Sequence, residues 1–138
     1  MFAVPRPDHF TNHLHCCECA EHDETLRQAD LETIGLKELG NAGGDPLCFC
    51  SDEGKRYLMP ALIRLCLETM DGEFYLAQFL FHLMADGGGN SLFKSCSVAQ
   101  REFLARVLGF VVLTWPAELE QSGCLEDLWQ AMAIWGKA

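Results

Sequence analysis

The sequence predicts an all-α protein, a single compact bundle of five to six helices. Three observations carry this. Apolar residues recur at three- and four-residue spacing nearly throughout the chain. No segment alternates cleanly with the period of two that a half-buried strand requires. The 138 residues, 49% of them apolar, are enough for one domain that buries a real core.

The elements follow in order. A first helix is expected from Asp8 to about Arg27, resting on a stripe of Phe10, Leu14 and Cys17. A short helical piece, "LETIGLKEL" (31–39), comes next. "GNAGGDP" (40–46) is a loop, and "PLCFC" (46–50) an extended piece with no second strand to pair with. Ser51 is a good N-cap for a third helix, with Asp52 and Glu53 in its first turn, where the dipole favours anions. Leu58, Leu62, Leu65 and Cys66 give that helix its apolar face. Pro60 inside it should kink it or mark a break, because proline lacks the N–H and its ring clashes with the preceding turn.

"EFYLAQFLFHLMA" (73–85) is apolar on most sides and is expected to be a central helix. Within it His82 reads as a core histidine, and Phe74, Tyr75, Phe79 and Phe81 as core aromatics. The glycines of "DGGGN" (86–90) end it. Ser97 opens the next helix, with Gln100 in the capping-box position, and Pro116 stops the pattern after Trp115. A last helix, about residues 124–135, presents Leu125, Leu128, Trp129, Met132 and Trp135.

Several function classes drop out. "DGGGN" lacks the following Lys-Ser/Thr of a phosphate loop, and no Ser/His/Asp elbow is visible, so no catalytic residue is assigned. The most apolar piece, "FLARVLGFVVLTW" (103–115), is short and carries Arg106, which excludes it as a membrane span. The N-terminus "MFAVPRPDHF" has no apolar signal-peptide core, so a cytoplasmic location is expected. In a reducing compartment the eight cysteines read as packed thiols, metal ligands or redox groups and not as a disulfide framework.

The net charge of −10 is unevenly placed. Residues 1–53 hold 11 acidic and 3 basic side chains, a balance of −8, which leaves −2 for residues 54–138. Such a surface opposes binding to a nucleic-acid backbone, which needs Lys and Arg. It suits a basic protein partner, met through Glu18, Glu21, Glu24, Asp30 and Glu32. A solvated surface that only keeps the protein soluble accounts for the same charges.

The densest chemistry lies in "HCCECAEH" (15–22). Residues 9–22 hold seven of the chain's thirteen Cys and His residues, where an even spread would place roughly 1.3. On a continuous helix His15, Cys19 and His22 share one arc opposite the Phe10–Leu14–Cys17 stripe, with Cys16 and Asp23 flanking them. Thiolate and imidazole together suit Zn²⁺, which takes four such ligands. Cys48 or Cys50 could supply the fourth, and Cys16, Cys19, Cys48 and Cys50 form a rival set. Cys16-Cys17-Glu18-Cys19 is also a C-x-x-C. On a helix begun at Asp8 it would sit mid-helix, and Glu18 and Glu21 would oppose thiolate chemistry. Packed thiols and surface histidines explain the same residues without any ion.

Three stretches resemble an uncharacterised bacterial domain-of-unknown-function family. His15, Cys16, Glu18 and Cys19 are similar to its His-Cys-x-x-Cys start. "SDEGKRYLMPALIRLCLE" (51–68) resembles its Ser-Pro-Glu-Ala/Gly-Phe-Arg-Tyr-Tyr-Leu-Pro segment, with Asp52 in place of the proline and Lys55 in place of the phenylalanine. "SVAQR" (97–101) resembles a later helix start. The resemblance implies a helical bacterial domain and no particular activity. Arg56 and Tyr57, in the second stretch, join the partner-binding candidates, although Asp52 and Glu53 are local partners for Arg56. The expectation is therefore a small acidic interaction module that binds or neutralises a basic protein. The alternative is a zinc-binding or thiol-based protein working through residues 15–22.

Overall fold

A computed structural model describes residues 2–40 and 45–136. The protein is all-α. Among the described residues there are eight α-helices: α1 (Cys17–Gln28), α2 (Leu36–Leu39), α3 (Asp52–Glu68), α4 (Leu76–Met84), α5 (Ser91–Ser95), α6 (Val98–Thr114), α7 (Pro116–Ser122) and α8 (Leu125–Trp135). Short 3₁₀ turns cover Pro46–Phe49 and Gly87–Gly89. There is no strand among the described residues, only an isolated bridge between Thr11 and Cys50. The chain divides into two compact units, Phe2–Leu65 and the part from Cys66 onward.

In the first unit the largest departure from expectation is at the start. Residues 8–16 are not helical, and α1 begins only at Cys17. The reason is long-range capture of the backbone. Phe10 and Thr11 donate their N–H groups to Asp23 Oδ1 at 2.6 and 3.1 Å, and the Phe10 carbonyl accepts from Ser51 N at 2.8 Å. A helix begun at Asp8 would leave those first N–H groups without a partner anyway, but it needs the Phe10 carbonyl for its own ladder, and that carbonyl is taken by Ser51 while Thr11 is bridged to Cys50. The buried stripe of α1 is Cys19, Asp23 and Leu26, at i, i+4 and i+7. Leu14 is 85% exposed and Cys17 is exposed too, so the expected Phe10–Leu14–Cys17 stripe does not form.

Arg6 closes the other end of α1. Its guanidinium donates to the carbonyls of Leu26, Arg27 and Ala29, and it lies over the rings of Phe10 and Tyr57 at 5.4 and 5.5 Å. A cation on the last carbonyls of a helix is favoured by its dipole. Arg64 does the same for the loop before α2, donating to Leu31, Glu32 and Ile34 carbonyls. Within "LETIGLKEL" only the last four residues are helical, because Asp30 Oδ1 takes Glu32 N–H and holds the first part in a turn. The glycine loop falls largely outside the described residues. "PLCFC" is a 3₁₀ turn and not an extended piece, since Asp45 Oδ1 caps it at Leu47 N and Pro46 suits a helix start.

Ser51 does cap α3, accepting Gly54 N–H at 3.0 Å. Gly54 sits at a close approach: a Cβ there would stand 3.2 Å from the Phe10 carbonyl oxygen, which would have to give by a few tenths of an ångström. Of the kink or break expected at Pro60, the break is absent: the helix runs through it to Glu68. Pro60 is exposed, while Leu58, Met59, Ala61 and Leu62 beside it are buried, so burial outweighs one missing N–H.

In the second unit α8 packs against α4 and α6. Tyr75, Phe79 and His82 are buried as expected, whereas Phe81 is exposed. Helix α4 starts at Leu76, three residues later than expected, because Thr69 takes the N–H of both Phe74 and Tyr75 into a turn. Buried Asn90 organises the link onward: its Nδ2 donates to the His82 and Ala85 carbonyls, and its Oδ1 caps α5 at Phe93 N. Helix α5, five residues long, is too short to show periodicity and was not expected. The Ser97–Gln100 capping box opens α6 as the sequence predicts. Pro116 ends the α6 pattern and also opens α7 as its first residue, the position where a missing N–H costs nothing. These extra short pieces make the count eight instead of five to six.

Candidate functional site

Cys16 is the N-cap of α1. Its backbone is extended, and its Sγ accepts the Cys19 N–H at 3.3 Å. The C-x-x-C therefore lies at a helix N-terminus and not mid-helix. Cys16 and Cys19 Sγ are 3.2 Å apart, and His15 Nδ1 is 3.6 Å from Cys19 Sγ. Cys16 and His15 are exposed and Cys19 is buried. The ligand atoms of these three residues all lie within 4.8 Å of one another.

Electrostatics separate the two thiols. The Cys19 backbone N–H, then the Cys19 thiol and His15, lower the Cys16 thiol from its ordinary value to about 7, against a smaller desolvation effect. Cys19 is raised, first by its hydrogen bond to Cys16, then by burial and by the charges of Cys16 and Glu18. The carboxylate effect expected to oppose thiolate chemistry thus acts at Cys19, while hydrogen bonding governs Cys16. One prediction follows directly. Above its pKa Cys16 is mainly thiolate, so its alkylation by iodoacetamide in reduced, metal-free protein should rise to a midpoint near pH 7. A midpoint of about 8.5, that of a free thiol, would contradict this assignment.

His22, Cys48 and Cys50 lie outside the group. His22 stacks on Phe49 with ring centroids 4.8 Å apart, and its Nε2 is 3.8 Å from Glu18 Oε1. The shared arc of His15, Cys19 and His22 presupposed a helix through residue 15, and α1 starts two residues later. Cys48 is exposed, its thiol raised by burial of the sulfur and by Asp45. Cys50 is pushed up to about 12 by burial, and its backbone is paired with Thr11.

A second grouping, His9, His13 and Asp23, also has ligand atoms within 4.8 Å. His9 Nδ1 is 2.7 Å from Asp23 Oδ2, and the two imidazoles stack with centroids 3.7 Å apart. Burial would raise Asp23, but the bonds from His9, Phe10 and Thr11 outweigh it and hold its carboxyl below the usual range. The sequence showed His9 and His13 inside the dense Cys/His region but no reason to join them to Asp23, since that link is tertiary. Both groupings could hold a metal ion. Thr11 Oγ1 donates to the Cys19 carbonyl at 2.7 Å and ties the anchored segment to the thiol pair.

The partner-binding candidates divide. Glu18, Glu21, Glu24, Asp30 and Glu32 are all exposed. Tyr57 is half-buried and carries Arg6 on its ring and hydroxyl, so its visible role is internal. Arg56 is half-buried and lines a shallow cavity with Val4, Pro5 and Glu53. No helix among the described residues is long and apolar enough to cross a membrane. No protein-family model matches the chain, and no match is found among curated proteins or solved structures.

Proposed function

We propose that this is a small zinc-binding protein of the cytoplasm whose ion is held by His15, Cys16 and Cys19. One observation carries the reading: two sulfurs and an imidazole nitrogen converge at the start of α1. A tetrahedral ion with Zn–S bonds of about 2.3 Å keeps its sulfurs about 3.8 Å apart. The His15–Cys19 separation of 3.6 Å already suits that arrangement. The sulfurs, at 3.2 Å, need to part by roughly half an ångström, which a small side-chain rotation supplies. Three protein ligands leave a fourth position open for water or a further donor.

The test is elemental analysis and zinc titration of full-length protein purified without a metal-affinity tag. One zinc per chain is expected. His15→Ala, Cys16→Ser and Cys19→Ser should each weaken binding by more than the roughly 10–100-fold typical of outer-shell changes. Cys48→Ser and Cys50→Ser should leave it unchanged. Ligation displaces the proton of Cys19, whose thiol is raised, so affinity should fall as the pH drops, and more steeply below about 7, where Cys16 is protonated too. Equal losses in all five variants, or no zinc in any, would defeat the reading.

A second reading, a protein-interaction role, is supported by the exposed carboxylates. Glu18, Glu21 and Glu24 follow one another at three-residue spacing on α1, which keeps them within one side of the helix. A basic protein partner would meet and be neutralised by this side. Glu21→Gln with Glu24→Gln should slow association at low salt and change stability by under about 0.5 kcal/mol. Binding that ignores ionic strength would remove this role.

A further inference from the structure

We infer that Cys16 and Cys19 also form a thiol–disulfide exchange couple that reacts with low-molecular-weight disulfides and releases the ion as it oxidises. This rests on the zinc reading for the release step and on geometry alone for the exchange. The 3.2 Å between the sulfurs lies between the separations the two states need. Those are about 2.05 Å in a disulfide and about 3.8 Å across a tetrahedral zinc. Small rotations at the same two side chains therefore reach either state. The thiols also differ in access. Cys16 is exposed and able to meet an incoming disulfide, while Cys19 is buried behind it, in contact with Cys16 and shielded from solvent. That is the arrangement of an attacking thiol and a resolving thiol.

The steps balance as follows. The Cys16 thiolate attacks one sulfur of the small disulfide RS–SR. The S–S bond breaks, one RS⁻ leaves and takes a proton, and a mixed disulfide remains on Cys16. The Cys19 sulfur, its proton lost to water, attacks Cys16 Sγ and expels the second RS⁻, which is protonated in turn. The protein dithiol is oxidised by two electrons, and one RS–SR is reduced to two RSH. From the zinc form, two protons are taken up from water and one Zn²⁺ is released per disulfide formed. Exposed Glu18 beside the pair repels anions, so a neutral disulfide should react faster than oxidised glutathione.

The experiment uses full-length protein, reduced and stripped of metal, treated with bis(2-hydroxyethyl) disulfide and followed by intact mass and peptide mapping. The expected product has lost two hydrogen atoms and carries a Cys16–Cys19 bond. Cys19→Ser should stop at a mixed disulfide on Cys16, and Cys16→Ser should lower the rate at least about tenfold. Cys17→Ser, at an exposed neighbour outside the pair, should behave as the parent chain does. Stable separate adducts on Cys16 and Cys19, or a bond to any other cysteine, would overturn the exchange couple. A zinc-loaded sample read with a colorimetric chelator should release one zinc per disulfide. If the stripped protein forms the bond but never binds zinc, the zinc reading fails and the exchange couple stands. If zinc binds at His15, Cys16 and Cys19 but the stripped thiols do not close, the exchange couple alone fails.

Discussion

Replacing Asp23 with alanine should destabilise the protein by about 3 kcal/mol and loosen the metal site with it. Asp23 is a buried carboxylate at the centre of α1's inner stripe. It accepts from two backbone N–H groups, Phe10 and Thr11, and from His9. Alanine leaves the two buried N–H groups without that acceptor, the costly kind of deletion. Asp23→Asn keeps an oxygen for the two N–H groups and should lose less. The anchored segment continues through Thr11 to the Cys19 carbonyl and through His15 to the thiols. Zinc affinity in Asp23→Ala should therefore fall by roughly 10–100-fold, as for other outer-shell changes. Chemical denaturation and zinc titration measure the two effects. The pH dependence has a definite sign. The folded pKa is below the unfolded one, so this stabilisation is present above about pH 4 and is lost as the pH falls through the lowered folded value. An alanine variant with parental stability at neutral pH would show that the carboxylate anchors nothing.

Trp135→Ala should have a comparable or larger effect, about 3–5 kcal/mol, read by urea denaturation. Its side chain is fully buried at the end of α8, edge-on to Phe93 at 5.3 Å, and its Nε1 donates to the Leu83 carbonyl at 3.0 Å. Truncation leaves a large cavity and an unpaired carbonyl together. Trp135→Phe keeps most of the ring and should cost about 1–3 kcal/mol, chiefly through that carbonyl. Trp129, on the same helix, is 52% exposed, and Trp129→Ala should cost under about 1 kcal/mol. Helical spacing places both tryptophans among the apolar residues of the last helix and does not tell them apart. A reversal of the two effects would mean that α8 buries Trp129 and exposes Trp135.

The sequence by itself determined the all-α class, the Ser51 cap of α3, the Ser97–Gln100 capping box and the stop at Pro116. Each is a local matter, settled by side chains within one or two turns of the backbone they affect. It also showed that the unusual chemistry lies in residues 9–22, since composition along the chain needs no folding to be read. Tertiary structure decided what that chemistry becomes. A buried aspartate on the inner stripe of α1 breaks the apolar pattern from which the helix face was read. Asp23 holds the N–H groups of residues 10 and 11, Ser51 takes the Phe10 carbonyl and Cys50 pairs with Thr11, so the segment stays extended and the helix starts at Cys17 instead of Asp8. That shift turns Cys17 and Leu14 outward, buries Cys19 and puts Cys16 on the helix N-terminus. Hydrogen bonds between residues 12 and 13 positions apart set the register, and periodicity within the segment carries no record of them.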